Sequence, residues 1–230
     1  MGAAGMLGSA WAFICLDRGQ YLTAVVVGGA VIFSFGMVAM LLRLTARNVT
    51  VRTGLVGGAT VFRPDRTVDI CLMTATVAMW AAMVLYAVFA PLDIVELPLP
   101  RGDRKFLIGV AIAGALAGLP SLRQIFVKAS MSYLRLAPDG FELGTATSSV
   151  AREWDDVTDM SDRPATRRRP LNTGTTYITT TDGRTRVLPS DWYTPGGHAL
   201  RTLVRFYWQH PESRDELADG RAVKRLENLF

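Results

Sequence analysis

The sequence predicts an α-helical membrane protein with about three spans, followed by a soluble α+β domain built of strands and one helix. Residues 70–90 carry no charged side chain over 21 positions, enough for a helix to cross a hydrocarbon core of about 30 Å. Up to about residue 128 the chain is apolar with short charged interruptions, and beyond it the chain is polar and rich in threonine. We therefore divide it into an apolar N-terminal segment (1–20), a transmembrane region (21–128), and a domain with a C-terminal tail (129–230).

The composition agrees with a membrane protein. Half of the 230 residues are hydrophobic, a fifth are charged, and the formal net charge is +5. In a membrane protein, basic loops reflect topology and contact with anionic lipid, so we predict membrane lipids as partners and no nucleic acid. Cys15 and Cys71 lie in or beside apolar segments and are predicted to be buried free thiols.

Two apolar segments of different length precede the first arginine-rich loop. Residues 1–16 are short for a span and lack the basic start and cleavage site of a secretory signal, so whether they enter the membrane stays open. Residues 21–42 give 22 uncharged positions with Tyr21 at one end and Arg43 just beyond the other, and are predicted to be a span.

The loop between the first two spans, residues 43–68, carries five arginines and a single acid, Asp65. It is short enough for this bias to predict a cytoplasmic location. Eight basic residues fall on the proposed inner side and four on the outer side, which places the soluble domain in the cytoplasm. Alternation in 48–52 and 59–63 around a glycine-rich turn indicates a hairpin, and a flexible loop is the open alternative.

The third predicted span covers residues 106–122 and contains Pro120, which a membrane helix tolerates when neighbours satisfy the freed carbonyl. From Leu122 to Tyr133 the apolar spacing predicts an amphipathic stem lying against the membrane surface or the soluble domain.

Small residues recur along the third span at the spacing that lets two helix backbones approach closely. This candidate interface comprises Gly109, Ala113, Gly114, Ala117 and Gly118. Packing against the chain's own spans and contact with a partner are both open.

The soluble half contains segments rich in β-branched residues, separated by turn sequences. The predicted strands are 133–136, 141–143, 149–154, 157–160, 175–180 and 185–188. An apolar stripe between His198 and Pro211 predicts a helix packed on the sheet. The core is predicted to include Trp154, Val157, Leu188, Leu203 and Tyr207.

The order LRLAPDGFEL, VAREWDDVTD, a threonine-rich hairpin ending TRVLPSDW and an amphipathic helix resembles bacterial pleckstrin-homology-like (PH-like) domains. Such domains follow transmembrane segments in small actinobacterial membrane proteins, and the resemblance covers roughly residues 130–210. It implies a bent antiparallel sheet closed by one helix, and an interaction module that is not an enzyme. Two departures are the three spans, where the family usually has two, and the basic insertion at 163–169.

As a whole, the chain also looks like an accessory subunit of the mycobacterial Mce-type lipid importers. That resemblance implies permease subunits of a lipid importer as partners.

The sequence contains no phosphate loop, zinc spacing or nucleophile elbow, so we predict no enzyme, cofactor or metal. His198 and His210 are predicted to be capping or surface residues. Four acids occur at 155–162, and their alternation favours a solvated turn over a metal site because neighbouring side chains face different ways.

The basic segment 163–169 could bind anionic lipid. The candidate residues for anionic-lipid contact are Arg163, Arg167, Arg168 and Arg169. Binding to anionic headgroups, at about 1 kcal/mol per charge, and a flexible solvated loop are both open.

Two functional hypotheses remain for a multi-pass protein of the plasma (inner) membrane. The first is a non-catalytic accessory or scaffold subunit of a larger membrane assembly, such as a lipid (fatty acid) importer of the Mce type. The alternative is a stand-alone module that binds the membrane surface or senses stress. A transporter or membrane enzyme would place ionisable residues inside its spans, and the predicted spans contain none.

Overall fold

A computed structural model describes residues 2–95, 97, 101–146, 148–162 and 174–230. The chain forms two compact units. The first, here the helical unit, comprises Met1–Leu41 and Ile70–Ala129. The second, here the globular unit, comprises Leu42–Asp69 and Ser130–Phe230.

Long apolar helices dominate the helical unit. The four helices with residues in this unit are α1 (Gly2–Asp17), α2 (Tyr21–Thr45), α3 (Arg66–Phe89) and α4 (Arg101–Lys128). Three of them, α2, α3 and α4, are long and apolar enough to cross a membrane. The chain is therefore a membrane-spanning protein by helix length and composition.

The predicted spans lie inside these helices except for Ala90, which follows the end of α3, and each helix extends beyond its apolar run. Helix α4 passes Pro120 without ending and continues to Lys128, so the predicted stem is the end of the same helix. The stem prediction was wrong in its extent, because the helix ends at Lys128 and Tyr133 belongs to a strand. Phe126 on the predicted apolar stripe is 79% exposed.

Helix α1 packs against α2 within the helical unit. A Cβ at Gly5 would lie 3.3 Å from the ring of Phe35, and Gly8 faces Val31. Both cysteines are free; Cys15 is buried and Cys71 is partly buried.

The larger sheet of the globular unit joins the α2–α3 loop to the C-terminal half. Its five strands, in spatial and chain order, are β1 (Arg52–Leu55), β2 (Thr60–Arg63), β3 (Tyr133–Leu136), β4 (Gly140–Gly144) and β5 (Ser149–Glu153). All neighbours are antiparallel, and Phe62 on β2 pairs with Leu134 on β3. Of the two alternatives for this loop, the structure has the hairpin, but its first strand is Arg52–Leu55 and not 48–52. The segment Leu42–Asp69 belongs to the globular unit.

The smaller sheet and one helix complete this unit. The antiparallel sheet contains β6 (Val157–Ser161), β7 (Thr176–Thr180) and β8 (Thr185–Leu188). Helix α5 (His198–Gln209) follows Gly197, whose left-handed φ of 72° ends the preceding turn. The chain leaves the helix just before Pro211, as the sequence predicts.

One hydrophobic core lies in the globular unit. It contains all five residues predicted from the sequence, each at most 6% exposed, so that prediction is confirmed. Trp154 also satisfies its indole, donating from Nε1 to the Ala137 carbonyl at 2.8 Å.

The C-terminal segment is part of this core. Two short helices, α6 (Glu216–Asp219) and α7 (Arg221–Glu227), bury Leu217, Ala222 and Leu226 completely or nearly so. Arg225 binds the Glu216 carboxylate through two hydrogen bonds of 2.8 and 2.7 Å, and Tyr207 donates to the same carboxylate. The segment predicted to be a C-terminal tail therefore packs on α5 and contributes to the fold.

Candidate interaction sites

Two glycines of α4 pack against α3. A Cβ at Gly118 would lie 2.7 Å from Cδ1 of Trp80, and Gly114 lies against the side chain of Met83. The Trp80 indole donates to the carbonyl of Ala115 at 2.9 Å, which holds the two helices in this register. These small residues therefore permit close packing between two spans of the same chain.

The other three small residues occupy a different face of α4. With 3.6 residues per turn, positions 109, 113 and 117 point away from position 118. Gly109, Ala113 and Ala117 are all exposed. The spacing suggested a single ridge, whereas the helix carries a packed small face (Gly114, Gly118) and an exposed small face (Gly109, Ala113, Ala117).

A second glycine contact, between α2 and α3, was missed from the sequence. A Cβ at Gly29 would lie 2.7 Å from the Ala78 carbonyl oxygen and from Cβ of Ala82. Two helical turns later, a Cβ at Gly36 would lie 3.1 Å from Cβ of Ala75. The seven-residue spacing of these glycines was the available signal.

The predicted anionic-lipid contacts, Arg163, Arg167, Arg168 and Arg169, lie outside the described residues. The segment follows Asp162, whose carboxylate lies 3.6 Å from the Arg201 guanidinium.

A buried carboxylate organises the start of α3. Asp65 is 1% exposed, and it accepts hydrogen bonds from Thr50 N (2.9 Å), Thr50 Oγ1 (2.6 Å), Thr67 N (2.9 Å) and Val68 N (3.2 Å). The last two bonds cap α3, because they satisfy amides that the first turn leaves without partners. Burial raises the pKa of Asp65, but the hydrogen bonds outweigh it and hold the pKa below its usual range. With Arg43 Nε 3.7 Å away, Asp65 links the end of α2 to the start of α3.

A second buried carboxylate, Asp69, binds the chain that follows α4. It is 3% exposed and accepts a hydrogen bond of 2.9 Å from the amide of Met131. The hydrogen-bond network continues through the two serines on either side of Met131. The Ser130 hydroxyl donates to the Ser132 carbonyl, and the Ser132 hydroxyl lies 2.6 Å from the Tyr193 hydroxyl. Burial raises the pKa of Tyr193, so this phenol stays protonated. Asp65 and Asp69 thus connect three chain segments inside the globular unit.

A third acid, Asp191, lies beside Gly174 in the turn before α5. Its amide donates to the Gly174 carbonyl at 3.0 Å. Burial raises the pKa of the Asp191 carboxyl to about 6.

The remaining polar candidates do not converge on one centre. Asp155 is 91% exposed by side chain and lies 4.0 Å from Arg214. His198 is exposed at the start of α5, and His210 Nδ1 lies 2.9 Å from Glu212. The described residues contain no group of three or more histidines, cysteines or acids placed to hold a metal ion.

A cavity of about 340 Å³ opens on the larger sheet. Its lining includes two arginines, Arg135 and Arg152, and four acids, Asp139, Glu142, Glu153 and Asp156. Since the acids outnumber the arginines, the cavity does not favour an anionic ligand.

Comparison with known proteins gives no match: no family model, curated protein or solved structure is similar to this chain. The fold and these sites define a membrane-spanning protein with an α+β globular unit.

Proposed function

We propose that this protein is a non-catalytic accessory or scaffold subunit of a larger membrane assembly. The observation that carries the proposal is the exposed small face of α4. Gly109, Ala113 and Ala117 lie on a long apolar helix whose opposite face already packs against α3. In lipid, close backbone approach supplies the association energy that the hydrophobic effect supplies in water, so such a face suits a second helix.

The globular unit supports the same role. Its sheet takes two strands from the α2–α3 loop, and α2 and α3 each contribute residues to both units. The chain that joins the units is therefore helical at these two points. A subunit that carries a folded module besides its spans can contact other subunits through both.

The more specific proposal, a PH-like domain in an importer subunit, rests on the resemblance of the sequence to those two groups of proteins. Two antiparallel sheets with α5 packed in their core are compatible with a PH-like domain, although the β1–β2 hairpin comes from outside the resembling region. We also propose that the protein lies in the plasma membrane with its globular unit in the cytoplasm, because the five arginines of residues 43–68 favour the inner side. Our specific proposal is a LucB-type accessory subunit of an Mce-type lipid (fatty acid) importer, with permease subunits as partners.

The test is affinity purification from native membranes with identification of the co-eluting chains. We expect a defined set of membrane subunits with the wild type, and its loss in an Ala113→Leu/Ala117→Leu variant that stays abundant. Leu119→Phe is the matched control, because Leu119 is already large and 49% exposed and the helical spacing puts it about 120° from Ala113 and about 160° from Ala117.

Gly118→Leu separates internal packing from partner contact. A leucine there would collide with Trp80, so we expect less folded protein and not a selective loss of partners. Full co-purification by an abundant Ala113→Leu/Ala117→Leu variant would remove α4 as the docking surface. Purification of the wild type without any partner would favour the alternative, a stand-alone membrane-surface module.

A further inference from the structure

The segment Leu42–Asp69 exposes charge of one sign only. It contains five arginines and two aspartates. Both aspartates are buried, and both use their carboxylates inside the fold: Asp65 accepts from Thr50, Thr67 and Val68, and Asp69 accepts from the Met131 amide. The charge that reaches the surface of this segment is therefore positive.

Three of the arginines are exposed: Arg47, Arg63 and Arg66. None of the three forms an ion pair with an acid of the described chain. The other two differ, because Arg43 lies 3.7 Å from Asp65 and Arg52 donates to the Pro64 carbonyl at 3.2 Å. The Arg47 side chain packs beside Gly196, where a Cβ would lie 3.6 Å from its Nε, and Arg63 attracts the Asp69 carboxylate electrostatically. All three side chains are nevertheless exposed, so each can meet an external anion.

The three arginines flank the two chain segments that the buried Asp65 carboxylate joins. Arg66 directly follows Asp65, and Arg63 precedes it by two residues. Arg47 lies three residues before Thr50, which binds Asp65 through both its amide and its hydroxyl. Asp65 thus fixes the backbone of the two segments that carry these arginines.

Arg47 occupies a backbone position that normally favours glycine. Its φ is 51°, in the left-handed region, and it ends α2 through bonds from Arg47 N to the Leu44 carbonyl and from Asn48 N to the Arg43 carbonyl. A cation already complements the helix dipole there, because Arg43 is in the last turn of α2. Unfavourable backbone at an exposed side chain is an observation that points to a function of that side chain.

Two of the arginines lie close along the chain to the apolar runs of α2 and α3. The apolar run of α2 ends at Leu42 and that of α3 begins at Ile70, so Arg47 and Arg66 lie within about five residues, or about 8 Å of helix rise, of the hydrocarbon. We propose that Arg47, Arg63 and Arg66 bind the phosphates of anionic phospholipid headgroups in the leaflet where α2 ends. This goes beyond the scaffold role and uses none of the residues of the exposed small face.

The test measures lipid preference in the full-length protein reconstituted into phosphatidylcholine bilayers. Spin-labelled phosphatidylglycerol or phosphatidylcholine is added, and the immobilised fraction gives their relative association constants. One arginine near an anionic surface corresponds to about a fivefold preference, so we expect each single Arg→Gln change to lower the preference for phosphatidylglycerol by up to about fivefold. The triple variant should lose more, and high salt should weaken the wild-type preference.

A charge-matched control separates a site from general attraction. The variant Arg184→Gln/Lys224→Gln removes the same charge as Arg63→Gln/Arg66→Gln from exposed positions elsewhere in the globular unit. Arg221 is left unchanged because it pairs with Asp219 at 2.6 Å. It should keep the wild-type preference, and an equal loss in this control would overturn the proposal.

Arg47→Gly separates binding from folding. It relieves the left-handed backbone, so we expect a raised melting temperature together with a lowered preference for phosphatidylglycerol. An unchanged preference in this variant and in the triple Gln variant would refute the site. Loss of the preference in inorganic phosphate, but not in chloride of equal ionic strength, would assign the site to a soluble phosphate and overturn the lipid assignment.

Discussion

The hairpin between α2 and α3 should be essential to the stability of the globular unit, and Phe62→Ala tests this. Phe62 is fully buried in the core and pairs with Leu134 across the β2–β3 ladder. Replacing a buried phenylalanine by alanine costs about 3 to 5 kcal/mol, because it removes apolar contacts and leaves a cavity. Against a free energy of unfolding of about 5 to 15 kcal/mol, the change should lower the melting temperature by about 10 °C.

The assay is thermal unfolding of the full-length protein in detergent, followed by tryptophan fluorescence. Trp154 is 1% exposed in the same core and reports the loss of this unit. Leu203→Ala is the positive control, with an expected cost of about 2 to 5 kcal/mol. Leu55→Ala is the matched control on the same hairpin, because Leu55 is 54% exposed and should change the stability by less than about 0.5 kcal/mol.

The reasoning also predicts the behaviour of a fragment cut at the boundary that the sequence suggests. A chain of residues 130–230 would lack β1 and β2, leaving the edge of β3 unpaired and removing the 2.7 Å bond from Thr60 Oγ1 to the Leu217 carbonyl. We expect it to unfold below the melting temperature of the full-length globular unit. A Phe62→Ala melting curve that matches that of Leu55→Ala, with a normally stable fragment, would refute the reasoning.

Two further predictions concern a single acid and the topology. Since burial raises the pKa of Asp191 from 3.8 to about 6, the folded state binds this proton more tightly than the unfolded state, and stability should fall as the pH rises from about 4 to 6. Asp191→Asn should therefore stabilise the protein at pH 7 by up to about 3 kcal/mol, and its melting temperature should change less between pH 4 and pH 6 than that of the wild type. A lower melting temperature of this variant at pH 7 would contradict the raised pKa of Asp191. For the topology, a Val187→Cys variant lacking Cys15 and Cys71 should resist a membrane-impermeant thiol reagent in intact cells and react after lysis, because Val187 is 51% exposed in a unit expected in the cytoplasm. Labelling in intact cells would place that unit outside.

At the start of α3 and in the C-terminal region, the sequence contains only weak local indications of the observed cap and buried helices. Asp65 precedes the first turn of α3, a usual capping position, yet the apolar run that marked the span begins only at Ile70. Leu217, Ala222 and Leu226 lie on short helices separated by Gly220, so they form no continuous apolar stripe. Their burial depends on the surface of α5, which the local pattern does not describe.

The sequence alone determined the spans, most strands and α5. Hydrocarbon accepts only long uncharged runs, and strand and helix periodicities are local, so residues 70–90 and the stripe through Leu203 could be interpreted without their neighbours. Only the tertiary structure decided the sheet membership of the hairpin, because Phe62 and Leu134 pair across a separation in the chain that periodicity cannot bridge. It also decided which small residues of α4 pack, since that depends on where Trp80 lies on another helix. The exposed positive charge of Leu42–Asp69 follows from the same cause: burial of both its aspartates is a property of the assembled fold, and composition reports only their number.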